Sequence, residues 1–121
     1  MLKTILLIEG DKNQQLLYQQ ALSREGYNII TATNGTEAVN KAFEHMPDVI
    51  ITDYFPANKS NTINFILDKN KKIPIIVNTA FSNHKDIGLS CPVDAIVVKS
   101  SDLTELKSKV KELVRNSPGA I

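Results

Sequence analysis

The chain has no tryptophan and only one cysteine, Cys91, among its 121 residues. A lone cysteine cannot close an internal disulfide, so the stapled framework of a small secreted protein is excluded and a reducing, cytoplasmic setting is expected. Charge of either sign is also nearly absent in the balance: 14 Lys and Arg face 13 Asp and Glu, for a formal net charge of +1. Such a balance gives no sign of a nucleic-acid-binding surface or of an acidic partner. No long apolar run occurs. The opening MLKTILLIEG is broken at Glu9, too early for a signal-peptide core and far too early to span a membrane. There is no internal repeat and no low-complexity block. Hydrophobic content of 42% suits one folded core, and residues 1–121 read as a single domain.

What is present is a set of short apolar runs, each followed by a polar residue. DVIITDYFP, from Asp48 to Pro56, is the central one. Val49 to Ile51 reads as a strand buried on both faces, as in a parallel sheet, and Asp53 stands where the run stops. Taken alone, Asp53 would read as a turn-starting residue. Lys3 to Ile8 is an earlier strand that ends at Glu9-Gly10-Asp11. Asp11 with Gln14 fits a helix N-cap and its partner, followed by an apolar face at Leu17, Ala21 and Leu22 and a stop at Gly26. Tyr27 to Ala32 is the second strand. Asn34 and Glu37 repeat the capping pattern for a helix with Ala38, Val39, Ala42, Phe43 and Met46 at helical spacing, ended by Pro47.

After Asp53, Phe55 to Lys59 reads as a loop. Ile63, Ile66 and Leu67 mark a short helix to about Asn70, with Lys71 and Lys72 at its C-terminal end. Ile73 to Asn78 is the fourth strand, with Pro74 near its start and Thr79 just past its end. His84 to Leu89 fits either a short helix or a turn. Ala95 to Val98 is the fifth strand, with Lys99 just beyond. Asp102 and Glu105 begin a last helix whose stripe is Leu103, Leu106, Val110, Leu113 and Val114. Its lysines, Lys107, Lys109 and Lys111, read as a solvated face. Pro118-Gly119 marks a short tail. His45 reads as a cation at a helix C-end, and the two histidines and Cys91 have no zinc-ligand spacing.

Strands alternating with helices define an α/β domain with a parallel sheet. Right-handed crossovers bring the strand C-ends to one edge, where such folds do their chemistry. That edge collects Glu9 and Asp11, Asp53, Thr79 and Lys99. Neighbouring carboxylates repel by on the order of 4 kcal/mol at about 4 Å in a medium of dielectric about 20, so a cation is called for. Mg²⁺ suits oxygen ligands and keeps waters that a phosphate can replace. A lysine and a hydroxyl beside it suit phosphoryl transfer, and a central carboxylate can itself be the acceptor, as an aspartyl phosphate.

These residues, in order and each at a strand end, resemble the receiver domain of bacterial two-component response regulators. The resemblance runs from about Lys3 to Arg115 and rests on Ile8-Glu9, Asp53, Pro74 with Thr79-Ala80, and Lys99. It implies a flavodoxin-like, doubly wound five-stranded parallel sheet of order 2-1-3-4-5. It further implies a phosphoryl group taken from a sensor histidine kinase or a phosphotransfer protein onto Asp53, with Thr79 and Lys99 binding that group. The implied Mg²⁺ would be held by Glu9, Asp53 and the backbone carbonyl of Phe55. Such a domain signals by conformational change to a downstream protein and is not a turnover enzyme.

Four departures from the family pattern stand out. Gly10 replaces the second of two adjacent acids, so Mg²⁺ binding is expected to be weak. Asp11 reads first as a plain N-cap and second as a water-mediated substitute for the missing acid. The loop after Asp53 is one residue short before Pro56. Ser100 follows Lys99 where the family has a cis-proline, so a trans bond is expected. The switch position on the fifth strand, aromatic in the family, is Ile96. The alternative reading is therefore a phosphorylation-independent pseudo-receiver that acts as a protein-interaction module. If 1–121 is the whole protein, output is expected by protein contact, through the fifth strand and last helix. If it is a piece of a longer protein, the rest carries the output. A flavin- or nucleotide-binding domain of the same architecture is disfavoured, because Glu9 and Asp11 would repel a phosphate at the first strand end.

Overall fold

Val49–Thr52 forms the middle of a five-stranded sheet because its four residues are apolar or β-branched and can be buried on both faces. A computed structural model describes residues 2–53, 66, 73–80 and 93–115. In chain order the elements are β1 (Thr4–Ile8), α1 (Lys12–Arg24), β2 (Asn28–Ala32), α2 (Gly35–His45), β3 (Val49–Thr52), β4 (Ile75–Thr79), β5 (Ala95–Val98) and α3 (Thr104–Arg115). The strand order is β2-β1-β3-β4-β5 and every pairing is parallel. This is the flavodoxin-like 2-1-3-4-5 sheet expected from the sequence. Ile5 lies beside Val49, Ile50 beside Ile75, and Val77 beside Ile96.

Alternation along the strands divides the core in two. One layer joins Ile5, Leu7, Val49, Ile51, Ile76 and Val97 to α1 through Tyr18 and Leu22, and to α3 through Leu106, Val110 and Val114. The other joins Leu6, Ala32, Ile50 and Ile75 to α2 through Ala38 and Ala42, and to the buried Ile66. Helices therefore cover both faces.

The α1 and α2 caps form where expected, whereas Asp102 lies one residue ahead of the α3 cap position, since the first helical bond runs from Lys107 N–H to Leu103 C=O. Asp11 accepts from the Asn13 and Gln14 N–H groups, and Asn34 accepts from the Glu37 N–H. Asp102 accepts from both the hydroxyl and the N–H of Thr104, which hold its carboxyl below the usual range. At the opposite sheet edge, Asp48 and Asp94 each accept a strand-end N–H, from Thr4 and Ile75 respectively, both at 2.8 Å.

Three details differ from the sequence reading. Leu17 is exposed, and α1 docks instead through Tyr18 with Leu22, one helical turn apart. Phe43 and Met46 are exposed, and Met46 takes the left-handed conformation that ends α2, with φ of 50°. Thr79 is the last residue of β4 rather than the first beyond it, and β4 starts at Ile75. Ile66 is helical and buried. The rest of that expected helix, Phe55 and its loop, Lys71, Lys72, His84, Cys91 and Pro118-Gly119 lie outside the described residues.

Candidate functional site

The carboxyl edge of the sheet carries Glu9, Asp53 and Lys99, each one residue past a strand. Continuing the strand alternation by that one residue puts all three on the α1/α3 face. Backbone hydrogen bonds fix their positions: Glu9 N–H donates to Ala32 C=O at 2.9 Å, Asp53 N–H to Ile8 C=O at 3.3 Å, and Lys99 N–H to Thr79 C=O at 2.6 Å. The last of these joins the backbone of Lys99 to that of Thr79, a fully buried residue at the end of β4.

Lys99 links the group. Its Nζ lies 3.0 Å from Glu9 Oε1 and 3.1 Å from Asp53 Oδ2. β1 and β5 are three strand spacings apart, roughly 14 Å. The long lysine stem and the Glu9 side chain therefore meet over the ends of the two strands between them. Burial works against the ammonium, but hydrogen bonds to Glu9 and Asp53 and the charge of both outweigh it, so the Lys99 pKa lies above its ordinary value. A pKa raised on folding stabilises the fold below the unfolded value of about 10.4, and that contribution is lost as pH rises through the higher folded value. The thermal midpoint should accordingly fall more steeply above about pH 10.4 in the parent than in Lys99→Met. Parallel curves would show that the ammonium contributes nothing to folding.

Exposure separates the members of the site. The side chain of Asp53 is 41% exposed, whereas that of Glu9 is 4% exposed. The Thr52 hydroxyl donates to the Asp53 C=O at 3.2 Å. Asp11 contributes its backbone N–H to Glu9 Oε2 at 3.0 Å, while its carboxylate is engaged as the α1 cap. Among the described residues, no group of three or more His, Cys, Asp or Glu side chains is disposed to hold a metal ion. Ile96 lies in β5 beside Val77. No cis peptide bond occurs among the described residues, so Lys99–Ser100 is trans, as expected. Gln15 is a site residue that sequence reasoning missed: its Nε2 donates to the Glu9 C=O at 3.1 Å. Nothing in the sequence distinguishes it from the other polar residues of α1.

A 2-1-3-4-5 parallel sheet with an aspartate, a lysine and a buried threonine at one edge is the architecture of a signalling receiver, and the chain belongs to that family. The model for the response regulator receiver domain matches residues 5–111. Response regulator ArlR of Staphylococcus aureus is 31% identical over 117 residues, covering 94% of this chain and 53% of ArlR. The chain thus spans about half the length of the curated relatives it matches. Among solved structures, response regulator TrrA of Thermotoga maritima in complex with Mg²⁺-BeF is 35% identical with a TM-score of 0.81, covering 93% of this chain and 99% of that one. TrrA in complex with histidine kinase ThkA matches at 35% identity and a TM-score of 0.79, covering 93% and 98%. Receiver domains are signalling domains of two-component systems rather than classical enzymes. No helix among the described residues is long and apolar enough to cross a membrane.

Proposed function

We propose that this domain accepts a phosphoryl group on Asp53 from a phosphohistidine donor, a sensor histidine kinase or a phosphotransfer protein, and relays the change to a downstream protein in the cytoplasm. The observation that carries this reading is the contrast in exposure. Asp53 opens to solvent, while Glu9 and most of Lys99 beside it are buried, as is Thr79 at the end of β4. A nucleophile must be reachable, and the groups that steady the transferred phosphoryl must be fixed beforehand. In the reaction, an Asp53 carboxylate oxygen bonds to phosphorus as the bond to the donor imidazole nitrogen breaks. Lys99 and the Thr79 hydroxyl stabilise the equatorial oxygens. The relation to TrrA, seen with a histidine kinase, supports the choice of donor.

The donor set fits Mg²⁺, which binds proteins through one or two carboxylates and keeps several waters. Glu9 and Asp53 would hold it, and when bound it neutralises charge on the phosphoryl oxygens. Gly10 adds no carboxylate and Asp11 is engaged as a cap, so affinity should fall below that of a site with paired acids. Phe55, whose carbonyl is a proposed third ligand, lies outside the described residues. The second reading, a phosphorylation-independent interaction module, is favoured by Gly10 and by Ile96, which has no ring to reorient.

The deciding experiment is intact mass after incubation with acetyl phosphate and Mg²⁺, with Asp53→Asn alongside. One added phosphoryl group in the parent and none in the variant is expected. No gain, under conditions that modify an ordinary receiver, would favour the interaction module.

A further inference from the structure

The first half of α1 is held differently from the second. The buried residues of the helix are Tyr18 and Leu22, four apart on one face. Gln14 stands four residues before Tyr18 and continues that face toward the helix start. Its Oε1 is the one buried side-chain polar atom among the described residues that meets no hydrogen-bond partner. A buried acceptor without a donor works against docking. Lys12, Asn13, Leu16 and Leu17 are all exposed, so apolar burial offsets little of that cost in this half. What holds the helix start is Glu9. The Gln15 Nε2 donates to the Glu9 C=O at 3.1 Å, and the Asp11 N–H donates to Glu9 Oε2 at 3.0 Å. Glu9 is a firm anchor, since it is buried and its own N–H is bonded to Ala32 C=O. The Asp11 carboxylate in turn caps the N–H groups of Asn13 and Gln14, which ties Asp11 to the helix it precedes.

We infer that residues 11–17 form a latch on Glu9, a unit that opens by itself while Tyr18 and Leu22 keep the rest of α1 on the sheet. Gln15 holds the latch shut, and the inward Gln14 oxygen favours opening. Both bonds end on one residue, so they break together when this half of the helix lifts. Opening strips Glu9 of two hydrogen bonds and displaces Leu16 and Leu17. Looseness at the helix start and freedom of the Glu9 side chain are therefore linked in both directions. The device is set by hydrogen bonds within the chain and stands whether or not Asp53 accepts phosphate.

Native-state hydrogen exchange of the full chain, read by NMR, tests this with the parent, Gln15→Met and Gln14→Leu. In the parent, the amides of Gln15, Leu16 and Leu17 should exchange at least about tenfold faster than that of Leu22, and with a smaller urea dependence, the mark of a local opening. Gln15→Met keeps the side-chain length and removes the donor, and should speed these amides by about fivefold, the scale of one hydrogen bond. Gln14→Leu removes the unpaired oxygen and should slow them by about tenfold. The Asp11 amide, which is bonded to Glu9 rather than within the helix, should follow both changes in parallel. Equal rates and equal urea dependence at Leu17 and Leu22 in the parent would overturn the inference. So would an Asp11 amide that ignores the variants while the helix amides respond, which is ordinary end fraying. Faster exchange in Gln14→Leu would overturn it too, by showing that the inward amide holds the helix down.

Discussion

Replacing Gly10 with aspartate is expected to tighten Mg²⁺ binding by about 10–100-fold, the range in which a supporting metal-site residue acts. The backbone admits the change. A Cβ at Gly10 would meet only the Thr33 carbonyl oxygen, at 3.5 Å, an ordinary van der Waals contact. The one glycine with positive φ is Gly26, so no left-handed conformation stands in the way among the described residues. The new carboxylate would follow Glu9 directly in the chain, at a pocket where one ammonium now balances two negative charges. A third negative charge leaves the cluster under-neutralised, by on the order of 1–4 kcal/mol for a pair at about 4 Å. Two signatures should therefore appear together. In EDTA the variant should melt below the parent, and in millimolar MgCl₂ the order should narrow or reverse, because a ligand bound only by the native state stabilises it. Calorimetry and melting curves check both. Equal or weaker Mg²⁺ binding in Gly10→Asp would mean that the pocket holds its cation elsewhere.

The second large effect lies beneath the site. Ile51→Ala should destabilise the domain by about 4 kcal/mol, within the range for deleting a buried isoleucine to alanine. Ile51 is 1% exposed, in the central strand, beside Leu7 and Ile76. It belongs to the layer that joins the sheet to α1 and α3, so the cavity has rigid walls on the strand side and two helices on the other. Against a total of about 5–15 kcal/mol for a typical domain, such a loss leaves a substantial unfolded fraction. The urea midpoint should fall with little change in slope. Val98→Ala, at an exposed position of the edge strand β5, should stay within about 0.5 kcal/mol. A small effect at Ile51 would show that the helices close over the missing side chain.

The sheet was legible because β3 and β4 are buried on both faces, which leaves runs such as VIIT and IIVNT with few alternative readings. The ends of those runs placed Glu9, Asp53, Thr79 and Lys99 at one edge. Helix faces were less legible. Leu17 is as apolar as any residue of α1, yet Tyr18 is buried in its stead, since orientation follows from how the whole helix docks and an aromatic body can anchor it. Met46 continues the α2 spacing but falls in the capping turn, where helical periodicity no longer holds. The contact of Lys99 with Glu9 could not be read at all. It depends on two side chains reaching across strands that are not neighbours, and no local pattern encodes that reach.

That reach has a consequence for how the domain is made. Glu9 and Lys99 are 90 residues apart in the chain, and β3 and β4 lie between their strands. The ion pair can close only after the strands between them have been laid down, so it cannot nucleate the fold and must form late, once the entropy of closing the large loops has been overcome. A newly made chain that stops short of β5 has Asp53 and Glu9 but lacks the lysine that bridges them. Completion of the pocket thus coincides with completion of the sheet, and a partly assembled chain lacks one of its three charged groups.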